Sequence, residues 1–399
     1  MLFYAASLNQ SKSILPLLQK LNRAYGLGEY VKDTERFPML AAYCISFFLL
    51  PLVLWKYFGA AGYRRESFSF IFDLYWLLPG YYLTAYMWMK RKQPSILVLA
   101  NDHSMQPRVL RQIAYELKIR TVYLQHASVM ERFPPLDFDL ALLDGYAAAK
   151  AYDQAGRSRS QVFLVGITMA DQHVRKPNLR SGVETVGVCV GSLEPLERVD
   201  DLCRRIRDQF PGLELRLRPH PAEAHDRLRA WHVLTERYRM KFSDAKHEIS
   251  FDYLQGCDLV IASDSGILLE AALLNVFPLY FDFPNLNLDF YGFERYGLTE
   301  YCAEVDGACA QLERLRGHRP DVRQRTGPFC ASVNTRYFGK SSQVASLLLA
   351  QYANSGEVDL KGWSRIPSFR HLEVYEFDET VDLLAAAGLW QTDNSVAGN

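Results

Sequence analysis

The segment DLVIASDSGILLEAALLNVFPLYFDFP, Asp258 to Pro284, strings together four patterns in order. A short apolar run (Leu259 to Ala262) is followed by a polar corner (Ser263, Asp264, Ser265, Gly266), a helical pattern from Ile267 to Leu274, and a second apolar run (Phe277 to Phe281). A strand, helix and strand this closely spaced make a βαβ unit, in which the strands are parallel and the helix lies on the sheet face. The corner then sits at the carboxyl end of a strand and the amino end of a helix. Free N–H groups and the helix dipole favour an anion there, and open α/β sheets collect their ligands at such ends. Ser263 or Asp264 is equally an ordinary helix cap, because a cap and a phosphate use the same N–H groups.

The chain is long enough for two such domains: its 399 residues exceed one ordinary core. Lysine plus arginine equals aspartate plus glutamate at 45 each, which gives no overall positive field for nucleic acid. Any anion must be met by local groups. The seven cysteines show neither C-x-x-C nor metal-type spacing, which fits a reducing compartment. The start, MLFYAASLNQSK, has no secretory pattern.

Two α/β series are expected. The first covers 1–167: a strand at Leu2 to Ala6, a helix from Ser13 to Tyr25, and then strands at Ile96 to Ala100, Thr121 to Leu124, Phe138 to Leu143 and Val162 to Val165. A polar stretch, 168–184, reads as a linker. The second series, 185–352, has strands at Thr185 to Val190 and Leu213 to Leu217 before the opening βαβ unit, and closes on a helix at Ser341 to Tyr352. Residues 353–399 read as a tail with one short helix at Asp378 to Ala387 and disorder from Thr392.

An apolar helical insertion, 38–92, interrupts the first series. Pro38 to Trp55 contains no charge, and Phe68 to Met89 is aromatic and closed by Lys90, Arg91 and Lys92. Three readings stay open: a hairpin through a bilayer, helices lying in the interface, and buried or oligomer-forming helices. Tyrosine, tryptophan and flanking cations favour contact with lipid headgroups, hence a peripheral membrane protein on the cytoplasmic face.

Candidate chemistry lies at the strand ends. Asp102, His103 and His126 end strands of the first series and are candidates for a base that takes a proton from an acceptor hydroxyl, with Asp102 as base and His126 as donor contact the alternative. Arg218-Pro219-His220-Pro221 follows a strand of the second series, where the prolines stiffen the corner and Arg218 and His220 offer charge-assisted donors to a phosphate. Glu270 follows Ser265 along the helix and reaches toward a ribose hydroxyl, or else interacts with the helix amino end. No phosphate-loop, dinucleotide or H-E-x-x-H signature is present, so no metal or separate cofactor is expected and the nucleotide enters as substrate.

Taken together, LQHAS (Leu124 to Ser128), RPHP (Arg218 to Pro221) and SDSGILLEAALLN (Ser263 to Asn275) resemble the GT-B glycosyltransferases of bacterial surface-polysaccharide assembly. That group includes capsule Kdo, sialyl- and polysialyltransferases and CDP-glycerol glycerophosphotransferases. The resemblance implies two Rossmann-like domains facing across a cleft, with His220, Ser263 and Ser265 on the donor phosphate and Glu270 on the donor ribose. It implies transfer of a sugar from a nucleotide-linked, CMP-type donor to a lipid-linked glycan of capsule or lipopolysaccharide. A CDP-polyol phosphotransferase, a sugar-nucleotide 2-epimerase and a non-catalytic glycan-binding or scaffold protein are the alternatives. Ala127 stands where the group has glycine, and the segment Pro38 to Met89 is outside the common pattern.

Overall fold

The structure, a computed structural model, describes residues 1–21, 24–27, 37–130 and 132–386. In chain order its first part holds β1 (Leu2–Tyr4), α1 (Leu8–Leu18), β2 (Tyr25–Leu27), α2 (Met39–Phe48), α3 (Leu50–Gly59), α4 (Tyr63–Phe70), α5 (Phe72–Lys92), β3 (Ile96–Leu99) and α6 (Met105–Glu116). After these come β4 (Arg120–Leu124), β5 (Leu140–Leu143), α7 (Tyr146–Ala155) and β6 (Gln161–Leu164). The second part holds β7 (Thr185–Val190), α8 (Leu196–Gln209), β8 (Glu214–Pro219), α9 (His225–Arg237), β9 (Lys241–Phe242) and α10 (Ser250–Gln255). It continues with β10 (Leu259–Ala262), α11 (Ile267–Leu273), β11 (Phe277–Phe281), β12 (Glu300–Cys302) and α12 (Val305–Arg316). The chain then runs through α13 (Ser341–Ser355), β13 (Trp363–Ile366), β14 (Glu373–Phe377) and α14 (Leu383–Ala386).

Two sheets result. The first has the order β13-β14-β6-β5-β4-β3-β1-β2, parallel except for β13, and the second has the order β12-β11-β10-β7-β8-β9, parallel throughout. Parallel strands are covered on both faces, and the alternation of side chains divides the first sheet cleanly. Leu97, Leu99, Tyr123, Ala141 and Leu143 face α5, α6 and α7, while Val98, Val122, Leu124, Leu140 and Leu142 face α1 and α13.

The chain's last part corrects the expected boundaries. Val344, Ala345, Leu348 and Leu349 of α13 pack into the first sheet's core, and β14 pairs with β6 in parallel. The closing helix therefore belongs with the first domain, and residues 353 onward supply two of that sheet's strands instead of a tail. Asp171 of the linker fastens this return by accepting the Ser341 and Ser342 N–H groups at 2.9 and 2.7 Å, which caps α13. The expected helix at Asp378 to Ala387 shrinks to α14, and the expectation for Thr392 to Asn399 lies outside the described residues.

α1 starts earlier than Ser13. Ser7 accepts the Gln10 N–H at 3.3 Å while Gln10 Oε1 accepts the N–H of Ala6, one residue before the cap, at 2.8 Å, a variant of the capping box that sets the first turn at Leu8. Asn22 and Arg23, within the expected helix, lie outside the described residues.

The apolar insertion splits in character. α5 is a core helix, with Leu77, Tyr81, Ala85, Trp88 and Met89 buried against the first sheet. α2 crosses it at Gly80, where a Cβ would stand 2.1 Å from the Ala42 carbonyl oxygen and 2.2 Å from Ser46 Oγ. Among the described residues no single helix is long and apolar enough to cross a membrane; α2 and α3 pass that test only together, bent by 61°. Because side chain would meet backbone at this crossing, Gly80→Ala should lower stability by roughly 1–3 kcal/mol. Chemical denaturation of the purified protein checks this.

Candidate functional site at the sheet switch points

The second sheet reverses direction at β7. The chain steps outward from β7 to β8 and β9, then returns past β7 to lay down β10, β11 and β12. Outside the carboxyl ends of β7 and β10 the crossovers part, which leaves the crevice where doubly wound sheets bind ligands. Three corners border it: Gly191-Ser192 after β7, His220 after β8, and Ser263 to Gly266 after β10. His220 and the serine corner flank the end of β7 on either side, about 10 Å apart by the spacing of parallel strands.

Each corner is held from below. The His220 N–H donates to the Val190 carbonyl at 2.7 Å, extending the β7–β8 ladder by one bond. Its Nδ1 accepts the Ala222 N–H at 3.1 Å, so in the neutral ring the proton sits on Nε2 and is available as a donor from an exposed side chain. Gly191 lies beside it: a Cβ there would stand 3.2 Å from Glu194 Oε2 and in ordinary contact with His220 Cβ at 3.7 Å. The Gly191 N–H donates to Glu194 at 2.6 Å, and Arg227 of α9 donates to the Gly191 and Glu194 carbonyls at 2.9 and 2.7 Å.

Arg218 differs from expectation. Its guanidinium is buried, donating to Ser243 Oγ at 2.6 Å and to the Glu248 carbonyl at 2.8 Å. With that fork engaged it braces the corner, and His220 is the exposed donor there.

At the third corner Asp264 Oδ2 accepts the Phe290 N–H at 2.5 Å and ties the aromatic loop after β11 to the end of β10. Its Oδ1 is buried with no hydrogen-bond partner among the described residues, and burial pushes the carboxyl up to about 6. Ser263 and Ser265 are half-buried at the rim and Gly266 opens the turn into α11. Glu270 is half-buried in α11. Burial raises its carboxyl, Ser250 and the cations Lys12 and Arg218 oppose that rise, and Oε2 has no partner among the described residues. Lys12 comes from α1 of the other domain. Burial lowers its ammonium pKa and Glu270 works against that.

The first sheet reverses at β1, where β2 lies on one side and β3 on the other. Asp102, His103 and His126 gather on its rim. Asp102 is buried and its Oδ1 lies 2.8 Å from His103 Nδ1, so a carboxylate orients an exposed imidazole. Asn101 Oδ1 holds this turn by accepting the His103 and Ser104 N–H groups at 2.9 and 3.1 Å. Phe133 lies against His103, with ring centroids 5.0 Å apart. His126 is driven down to about 4, first by burial and then by the nearby His103. At neutral pH it is therefore uncharged, and a ring held that low is a weak proton acceptor. Among the described residues no cluster of three or more histidine, cysteine, aspartate or glutamate side chains is placed to hold a metal ion.

No protein-family model and no curated protein matches the sequence. Solved structures do match in shape. MnaA from S. aureus with UDP superposes with a TM-score of 0.57 at 14% identity, over 90% of this chain and 98% of that one. The UDP-GlcNAc 2-epimerase of Methanocaldococcus jannaschii, bound to UDP-GlcNAc and UDP, gives 0.54 at 12% identity over 88% and 99%. That of Neisseria meningitidis, bound to UDP-GlcNAc, gives 0.52 at 11% identity over 88% and 99%. The chain has the GT-B fold. At this identity the likeness speaks for architecture alone.

Two signals in the sequence lead to parts of the site that the motifs miss. The Ser7 cap that starts α1 at Leu8 places Lys12 in the second turn of α1, and Gly191-Ser192 marks the strand end beside His220. For His126, ring titration followed by NMR should give a midpoint near 4, and His103→Asn should raise it only slightly, because burial is the larger cause.

Proposed function

We propose that the protein is a nucleotide-sugar-dependent enzyme. The donor's phosphates would lie across the end of β7, between His220 and the Ser263 to Gly266 corner, and Glu270 would take a ribose hydroxyl. The observation that carries this reading is the reversal of the second sheet at β7, with a fixed imidazole donor on one flank and a serine-bearing turn on the other. Structures of the same fold that hold UDP or UDP-GlcNAc support a nucleotide ligand.

Transfer of the sugar to an acceptor hydroxyl is the first reading. The acceptor oxygen would form its bond to the sugar's anomeric carbon as the bond to the donor phosphate breaks. The proton would pass to His103, oriented by Asp102, and the electron pair would leave on the phosphate, where His220 Nε2–H and the corner N–H groups stabilise it. An exposed apolar and aromatic surface on α2, α3 and α4 supports an acceptor carried in lipid, and with it a place for the protein on the cytoplasmic face of a membrane. A CMP-linked donor remains the expectation from the sequence.

Interconversion of a sugar nucleotide is the second reading, and the comparisons back it better than transfer, because 2-epimerases span about nine-tenths of the chain. An epimerase needs no acceptor. Incubating the protein with UDP-GlcNAc and with CMP-linked sugars, with and without a lipid extract, separates the two: product without extract means epimerisation, and product only with extract means transfer.

His220→Ala and Ser265→Ala should each weaken nucleotide binding about tenfold or more, the worth of one charge-assisted hydrogen bond. Thermal shifts with CMP, CDP, UMP, UDP and GDP measure this, and unchanged shifts in both variants contradict the donor assignment. Asp264 ionises above about 6, so affinity for a nucleotide sugar should fall as pH rises through that value, and Asp264→Asn should flatten the profile. Binding is the clean readout here, because stability mixes two opposite slopes. The native Asp264 carboxyl holds a proton that the unfolded chain has lost, so its share of stability drains away as pH rises toward about 6. The native His126 ring refuses a proton that the unfolded chain takes up below about 6.5, so its share is lost as pH falls toward about 4.

A further inference from the structure

Helices α2, α3 and α4 are built inside out. α2 turns Ala42 and Ser46 toward α5, where Ser46 Oγ donates to the Leu77 carbonyl at 3.0 Å, while Leu40, Phe47 and Phe48 stand 78%, 64% and 80% exposed. α3 buries only Val53 and exposes Leu52, Trp55 and Phe58; α4 buries none of its residues, and Phe70 at its end is 93% exposed. A helix on a water-facing surface shows the reverse, with small polar residues outward and large apolar ones inward. A continuous face of this kind marks a surface that another phase or partner covers.

The charges say which. Between 37 and 92 the chain carries Lys56, Arg64, Arg65, Lys90, Arg91 and Lys92 against only Glu66 and Asp73. The three cations of α3 and α4 lie over aromatic rings of the same helices: Lys56 is 5.1 Å from the Trp55 ring, Arg65 is 5.7 and 5.6 Å from the Tyr57 and Phe58 rings, and Arg64 is 6.0 Å from the Tyr63 ring. A second copy of this chain meeting the same face across a two-fold axis would set these cations against one another. An anionic lipid surface satisfies both features at once, taking the rings at the level of the glycerol backbone and the cations among the phosphates. The 61° bend between α2 and α3 breaks the uncharged run into two short arms, the shape of a wedge seated in one leaflet.

We infer that α2, α3 and α4 form a docking wedge for one leaflet of an anionic lipid membrane, with Trp55, Phe58 and Phe70 entering the apolar layer and Lys56, Arg64 and Arg65 reading the headgroup charge. This deepens the lipid-borne-acceptor reading and rests on it for its purpose, although vesicle binding itself needs no nucleotide.

Flotation of the full chain with vesicles tests it, using phosphatidylcholine alone and phosphatidylcholine with on the order of a third phosphatidylglycerol. The wild type should float with the anionic vesicles at least about tenfold more readily, and added salt should narrow that margin. Trp55→Ser/Phe58→Ser/Phe70→Ser should lose binding to both kinds of vesicle, and Lys56→Glu/Arg64→Glu/Arg65→Glu should lose only the anionic preference. These side chains are exposed, so both variants should keep the wild-type melting temperature and nucleotide shift. A wild type that ignores both vesicles overturns the inference, as does a wild-type dimer that the serine variant splits. If nucleotide shifts persist in such a wild type, the donor site stands without the wedge. If vesicles bind and no nucleotide shifts the melting temperature, the wedge stands without the donor site.

Discussion

Everything at the second domain's rim depends on one pairing: β7 hydrogen-bonds in parallel with both β8 and β10. A strand paired on both sides by crossovers that leave in opposite directions has nothing to cover its carboxyl end, so a crevice opens there without any special loop. The opposite end of the sheet is closed by Asp258. Its carboxylate is fully buried and accepts from Asn178 Nδ2 at 2.8 Å, from the Glu184 and Thr185 N–H groups at 2.9 Å each, and from Arg180 at 3.2 Å. Burial alone would raise that carboxyl; these donors outweigh it and hold it below the usual carboxylate range. One end of β7 and β10 is thus fixed by a charged knot while the other is left to bind.

The two rims have different electrostatics, and the difference suits a division of labour. On the first domain a buried carboxylate orients an exposed imidazole, and a second imidazole is kept neutral beside it. On the second domain an imidazole of fixed tautomer presents N–H, and the one acidic side chain at the corner is pushed toward neutrality by burial. A proton acceptor thus lies on one rim and a donor on the other. Lys12 of α1 and Glu270 of α11 act on one another electrostatically, so the charge balance of each domain includes a group from the other.

Much of this is legible in the residues. Short apolar runs ending in polar corners locate the strands of both sheets, and RPHP with the serine corner locates two of the three groups around β7. What the sequence hides has physical causes. Arg218 looks like a free cation because its partners, Ser243 and Glu248, lie well downstream of the RPHP corner and meet it only once α10 and β9 are placed. β13 and β14 look like a polar tail because each is an edge or near-edge strand with outward charged residues such as Arg365, Glu373 and Glu376, and only β6 beside them explains their apolar partners. The apolar stretch 38–92 reads as one feature, yet α5 is a core helix and α2 to α4 face outward. Composition alone does not separate a helix that packs on a sheet from one that faces away from it, whereas the close crossing at Gly80 does.

A crystal structure of the protein grown with a nucleotide sugar would place the donor outright. Phosphate density is expected over the carboxyl end of β7, within hydrogen-bonding distance of His220 Nε2 on one side and the Ser265 corner on the other. A nucleotide seated elsewhere, against the first domain's rim or in the crevice with His220 turned away, would contradict it.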